Sequence, residues 1–150
     1  MALKSDRVLV RALGPRLRPF GLPCAANMTV FRGSIVIVFS DGTIAPAGTA
    51  TPSGLTVAPK VAGIAMHFQS NVSNSPVMSG QYGPGRVELD LGTYALPFDT
   101  APTWDKLNSP VYAVDDETVS LTETPEGGSA RTLVGTFVGL DETGTPFVTL

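Results

Sequence analysis

Ser34-Ile35-Val36-Ile37-Val38-Phe39-Ser40-Asp41-Gly42-Thr43-Ile44-Ala45 sets an unbroken apolar run against a tight-turn dipeptide. Ile and Val branch at Cβ, lose χ1 freedom in a helix and pack well on a pleated surface. Asp-Gly supplies the positive φ that a two-residue hairpin turn demands. The stretch therefore predicts a strand over Ser34–Ser40, a turn at Asp41-Gly42 and a second strand over Thr43–Ala45.

The same grammar extends in both directions. Met28–Arg32 reads as a strand before the hairpin, and a Thr/Pro/Ala/Gly-rich loop, Pro46 to Pro59, follows it. Val61–Phe68 reads as a strand with Gly63 as a bulge. Gln69 to Gly85 is polar and glycine-rich, so a long exposed loop is expected there. Arg86–Leu91 alternates, with Val87, Leu89 and Leu91 on one face and Arg86, Glu88 and Asp90 on the other. Thr103–Leu107 fits a single helical turn. Pro110–Val114 and Thr118–Thr122 flank an Asp115-Asp116-Glu117 turn. Arg131–Leu140, the turn Asp141-Glu142-Thr143-Gly144 and Thr145–Leu150 form a terminal hairpin. The two acidic hairpin turns share their chemistry without implying an internal repeat. Short strands between turns, with no 3.6-residue apolar stripe, predict an all-β barrel or sandwich.

Composition agrees. Apolar residues make up 43% of the 150-residue chain, enough for a real core, while charged residues are only 15% against roughly 25% in typical soluble proteins. Thr and Val each occur 16 times. The longest apolar run is strand length, well short of the roughly 18 residues of a membrane helix. The N-terminal residues lack the apolar core of a signal peptide. A soluble protein made inside a cell is expected.

Charge is lopsided. Residues 1–32 carry Lys4, Arg7, Arg11, Arg16, Arg18 and Arg32 against Asp6 alone, a net +5, whereas residues 33–150 carry four basic and twelve acidic residues, a net −8. Pro15, Pro19 and Pro23 with Gly14 and Gly21 forbid a long helix. Residues 1–27 therefore read as an extended basic arm with one short strand at Val8–Ala12, and residues 28–150 as a single β domain. The six cations are the candidate partner-binding residues, since such an asymmetry marks an arm that docks on something acidic.

Signals for chemistry are sparse. His67 is the only histidine and no Gly-x-Ser-x-Gly elbow is present. One His and one Cys leave zinc dependent on carboxylates. Asp115-Asp116-Glu117 lacks EF-hand spacing and reads as a solvated turn whose Asx side chain bonds its own backbone. Gly80-Gln-Tyr-Gly-Pro-Gly85 lacks the Lys-Ser/Thr ending of a phosphate loop. Cys24 has no neighbouring base and cannot pair within the chain. These readings predict no catalytic residues, no cofactor and no metal. Nucleic acid is a poor match, because the body is acidic where a backbone-binding protein carries a basic face.

The order of the segments resembles the capsid decoration (head cement) proteins of tailed bacteriophages. Phe31-Arg-Gly-Ser-Ile-Val-Ile-Val-Phe-Ser-Asp-Gly-Thr-Ile-Ala-Pro-Ala-Gly48 is similar to that family's opening strand pair, and Val61-Ala-Gly-Ile-Ala65 to its next strand. Asn71 to Gly85 resembles its Asn/Gly-rich loop, and Arg86-Val-Glu-Leu-Asp-Leu-Gly-Thr-Tyr94 its strand ending in Gly-x-aromatic. Pro110-Val-Tyr-Ala-Val-Asp-Asp-Glu-Thr-Val-Ser120 is similar to its most recurrent strand and turn. Val134-Gly-Thr-Phe-Val-Gly-Leu-Asp-Glu-Thr-Gly144 with Phe147-Val-Thr-Leu150 is similar to its closing hairpin. The resemblance covers residues 28–150, and the Pro- and Arg-rich arm departs from it. It implies a β-tulip-like fold and a non-enzymatic homo-oligomer, often a trimer. Such a protein sits on the outer surface of the virion and clamps neighbouring subunits of the major capsid protein.

Two other classes fit the size and strand content. A glycan- or receptor-binding β module would use Tyr82, Tyr94 or Trp104 as stacking platforms, although lone aromatics in β proteins more often serve core or interface. A small trimeric enzyme of the dUTPase type would need Gly-Arg-Ser-Ser and Gly-x-Ile-Asp-x-x-Tyr motifs that the chain lacks.

Overall fold

Sixteen short strands and one 3₁₀ turn make up the computed structural model, which describes residues 4–8, 11–12, 21–72, 79–80 and 83–150. Arg16, Arg18 and Tyr82 lie outside the described residues. In chain order the strands begin with β1 (Arg11–Ala12), β2 (Leu22–Pro23), β3 (Thr29–Val30), β4 (Ile35–Val38), β5 (Ile44–Pro46) and β6 (Gly63–Ala65). Next come β7 (Gln69–Ser70), β8 (Ser79–Gly80), β9 (Gly83–Pro84), β10 (Arg86–Val87), β11 (Leu89–Asp90) and β12 (Thr93–Ala95). After the 3₁₀ turn Trp104–Lys106 follow β13 (Pro110–Ala113), β14 (Val119–Ser120), β15 (Leu133–Leu140) and β16 (Pro146–Thr149).

The protein is all-β, as its sequence predicts. A six-stranded antiparallel sheet runs β1-β12-β16-β15-β13-β14, and a four-stranded one runs β11-β6-β4-β5. Three two-stranded pairs, β2/β10, β3/β7 and β8/β9, complete the described sheets. None closes into a barrel. The sandwich half of the expectation describes the packing.

Strand β4 explains why its sequence is apolar without alternation. Ile35, Ile37 and Phe39 join Tyr94, Val111, Val134, Phe137 and Val148 of the large sheet in the main core. Val36 and Ile44 face the other way, into a smaller cluster with Cys24, Val30, Ala62, Val87 and Leu89. The four-stranded sheet is thus covered on both faces, the circumstance that replaces alternation by a continuous apolar run. Its hairpin pairs Val36 with Pro46 and Val38 with Ile44. Gly42 sits at φ +84° in the turn, where a glycine carries no steric penalty. Asp41 Oδ1 accepts both the Thr43 N–H (2.9 Å) and the Thr43 hydroxyl (2.7 Å).

Several expected elements take a different form. Residues 21–27, assigned to the arm from sequence, pack into the body: β2 pairs with β10, and Cys24 and Ala25 are buried. The Arg86–Leu91 strand divides where it changes partner, β10 pairing with β2 and β11 with β6. Asp90, expected on the outer face, is buried because the Tyr94 hydroxyl donates to its Oδ2 at 2.5 Å. The Gln69–Gly85 loop is not uniformly exposed. Gln69 and Ser70 are buried in β7, and β8 pairs with β9. Only Gly63–Ala65 of the Val61–Phe68 strand is regular. Gly63 (φ +145°) lies so close to β11 that a Cβ would stand 2.8 Å from the Asp90 carbonyl oxygen.

Candidate partner-binding surface

Among the described residues, the candidate cations differ in setting. Lys4 and Arg32 are exposed. Arg11 contributes its backbone to β1, which pairs antiparallel with β12 through Arg11–Tyr94 and Ala12–Thr93. Arg16 and Arg18 fall outside the described residues. Arg7 turns inward. Its Nε and one terminal nitrogen donate to the Gly33 carbonyl at 3.2 and 3.1 Å, and the same terminal nitrogen donates to the Glu117 carbonyl at 3.3 Å. The Glu117 carboxylate stands 4.0 Å from the guanidinium. Burial pushes the Arg7 guanidinium below its ordinary range, against the opposing pull of Glu117, Asp116 and Asp115. The backbone completes the dock: Arg7 N–H donates to the Arg32 carbonyl (3.0 Å), and Arg32 N–H donates to Asp6 Oδ1 (3.1 Å).

This socket has a sequence cause. Gly33 adopts φ +88°, and a Cβ there would lie 2.6 Å from Arg7 Cγ, so only glycine leaves the floor open. The acidic turn forms the opposite wall. Asp115 Oδ1 accepts the N–H groups of Glu117 (2.9 Å) and Thr118 (2.7 Å), the Asx arrangement its sequence predicts. Asp116 departs from the expectation of a solvated turn. It is buried, its Oδ2 accepts the Ser34 hydroxyl (2.9 Å), and its carbonyl accepts the Ile35 N–H (2.8 Å). That carboxylate clasps the start of β4. Sequence reasoning missed the role of Arg7, although Gly33 with an acidic tripeptide elsewhere in the chain is a signal of a kind.

The other candidate groups are held by structure. His67 Nε2 accepts the Glu88 N–H at 3.1 Å while Nδ1 lies 3.1 Å from the Phe68 carbonyl. These two contacts hold the imidazole ring between neighbouring segments of the body. Burial pushes the Cys24 thiol up to about 11. Tyr94 is buried beneath Asp90 and offers no platform. Trp104 is 58% exposed, with its ring against Gly139, and Leu107 and Val138 are also exposed. Among the described residues no group of three His, Cys, Asp or Glu is arranged to hold a metal ion. No described helix is long and apolar enough to cross a membrane.

An open groove of about 750 Å³ lies among the described residues. Ile37, Leu55, Val57 and Ala113 contribute apolar lining, and Thr49, Thr51, Thr56, Ser129 and Thr132 contribute hydroxyls. Arg131, the charged side chain among its described lining residues, is engaged by the Thr122 carbonyl (3.1 Å) and by Asp99 (3.7 Å). Such a lining can bind by shape and hydroxyl contacts. No protein-family model, curated protein or solved structure matches this chain.

Proposed function

We propose that this chain is a structural virion protein that binds the outside of an assembled phage capsid and stabilises it by clamping neighbouring major capsid subunits. The observation that carries the reading is the order of the hairpin segments over residues 28–150, which resembles that of capsid decoration proteins. A β body covered on both faces of its inner sheet suits a rigid adhesive part that works without a reaction pocket. Binding only the assembled shell stabilises it by mass action, because dissociated subunits lack the composite site. On this reading the protein is not an enzyme, resides on the virion surface and associates with copies of itself.

Co-sedimentation with assembled shells of the phage that encodes the chain tests this directly. The full-length protein is expected to pellet with shells and to raise their melting temperature, while dissociated capsid subunits leave it in the supernatant. Equal binding to dissociated subunits, or none to shells, overturns the reading. A second reading, a glycan-binding module, is favoured by one observation, the exposed ring of Trp104. Saccharide-dependent quenching of Trp104 fluorescence would support it.

A further inference from the structure

We propose that the Trp104 turn and the cavity beside it form a saccharide site, in which the indole stacks on a sugar ring and the cavity takes its hydroxyls. Such a site rests on the glycan-binding reading, to which it adds a place in the fold, and is independent of shell binding. Trp104 is the chain's single tryptophan, and it is more than half exposed. A Cβ built on Gly139 would stand 2.9 Å from Cζ3 and Cη2 of the ring, and no other ring atom comes closer than 3.9 Å. The ring therefore meets β15 by the edge of its six-membered part, and Gly139 covers neither face. An aromatic face is the negative side of the ring quadrupole, and the C–H face of a sugar presents weakly positive hydrogens to it.

Polar groups of several kinds flank the ring. Lys106 Nζ and Asp105 Oδ2 lie 2.9 Å apart, with both side chains more than half exposed. The Thr103 hydroxyl donates to Asp105 Oδ1. Thr103 and Lys106 also line an open cavity of about 350 Å³, within the size range of ligand sites, together with Asp99, Thr100, Ser120 and Thr122. An ammonium that donates, a carboxylate that accepts and hydroxyls that do both match the mixed hydrogen bonding of a polyol. Charge selects a neutral ligand. Asp105 and Lys106 cancel one another, and Asp99 faces Arg131 at 3.7 Å. A nucleic-acid base would stack equally well, but residues 33–150 carry four basic and twelve acidic residues, which oppose its phosphates. An apolar protein surface would strip water from the Asp105–Lys106 pair, whereas sugar hydroxyls replace that water.

Saturation-transfer difference NMR on the full-length protein tests the site, with lactose, maltose and diacetylchitobiose each at about 20 mM, well above a millimolar dissociation constant. Saturation is expected to reach the ring protons of at least one disaccharide. Trp104→Ala is expected to abolish it, and Lys106→Ala to weaken binding about tenfold, the loss of one hydrogen bond to a charged group. Both side chains are more than half exposed, so circular dichroism should show both variants folded as the wild type. Undiminished binding by either variant overturns the site and leaves the glycan reading standing, whereas no transfer to any of the three sugars overturns both. Loss of self-association in Trp104→Ala, with no sugar bound by the wild type, assigns the ring to an interface between copies and overturns the proposal. No readout involves shells, so the decoration reading stands or falls separately.

Discussion

Cys24 and His67 are the side chains in which chemistry would first be sought, and the fold engages both. Cys24 is 4% exposed in the smaller core cluster, and burial pushes its thiol up to about 11. The thiolate, which is the reactive form, is scarce at neutral pH. Ellman's reagent at pH 8 is expected to leave native Cys24 unmodified over hours and to titrate it at once in denaturant. The same shift makes stability depend on pH. The folded thiol keeps its proton up to about 11 while the unfolded one ionises near its ordinary value of about 8.5. The unfolded state therefore holds fewer protons between those limits, and this contribution to stability, intact below them, declines as pH rises through the interval. His67→Ala strips the Glu88 N–H of its acceptor and is expected to cost about 1–3 kcal/mol in denaturant titrations.

At the scale of elements, the closing hairpin shows how one carboxylate sets a turn. Asp141 Oδ1 accepts the Thr143 hydroxyl (2.7 Å) and the N–H groups of Thr143 (2.8 Å) and Thr145 (2.9 Å). The Thr143 hydroxyl first, and then these N–H groups, hold the Asp141 carboxyl below its usual range. A depressed carboxyl stabilises above its unfolded value of about 3.9, and that help is lost as pH falls through the lower folded value. Amide exchange at Thr143 and Thr145 is expected to quicken in Asp141→Asn and, in the wild type, on strong acidification; unchanged protection in the variant would count against the turn's reliance on this carboxylate. Strand β15 beyond the turn carries a register shift between Phe137 and Gly139. Gly139 (φ +133°) is where the Trp104 ring rests, with a Cβ there only 2.9 Å from two ring carbons. The Asp-x-Thr turn was legible in the sequence because it is made by residues two to four apart. The Trp104–Gly139 contact joins residues far apart in the chain, and no local pattern announces it.

The whole molecule is organised around β4, which contributes to both apolar clusters. Damage to either cluster should therefore spread to the other. Phe137→Ala, in the main core, and Ile44→Ala, in the smaller cluster, remove side chains that are 0% exposed and are expected to cost about 3–5 and 2–5 kcal/mol. Each should lower one common unfolding transition followed by far-ultraviolet circular dichroism and by Trp104 fluorescence. Two separated transitions in either variant would show that the clusters unfold independently.

Length, residue type and spacing determined the all-β class, the Ser34–Ala45 and Arg131–Leu150 hairpins, the Thr103–Leu107 turn and the uneven distribution of charge, because each depends on neighbours in the chain. Tertiary structure alone decided that Arg7 faces inward, that Asp90 and Asp116 are buried, and that residues 21–27 belong to the body. Those outcomes hinge on partners contributed by other strands: the carbonyl of Gly33, the hydroxyls of Tyr94 and Ser34, and the edge of β10. A charged residue in a sequence carries its preference for water with it, but whether the fold supplies a substitute for that water is settled only when distant segments meet.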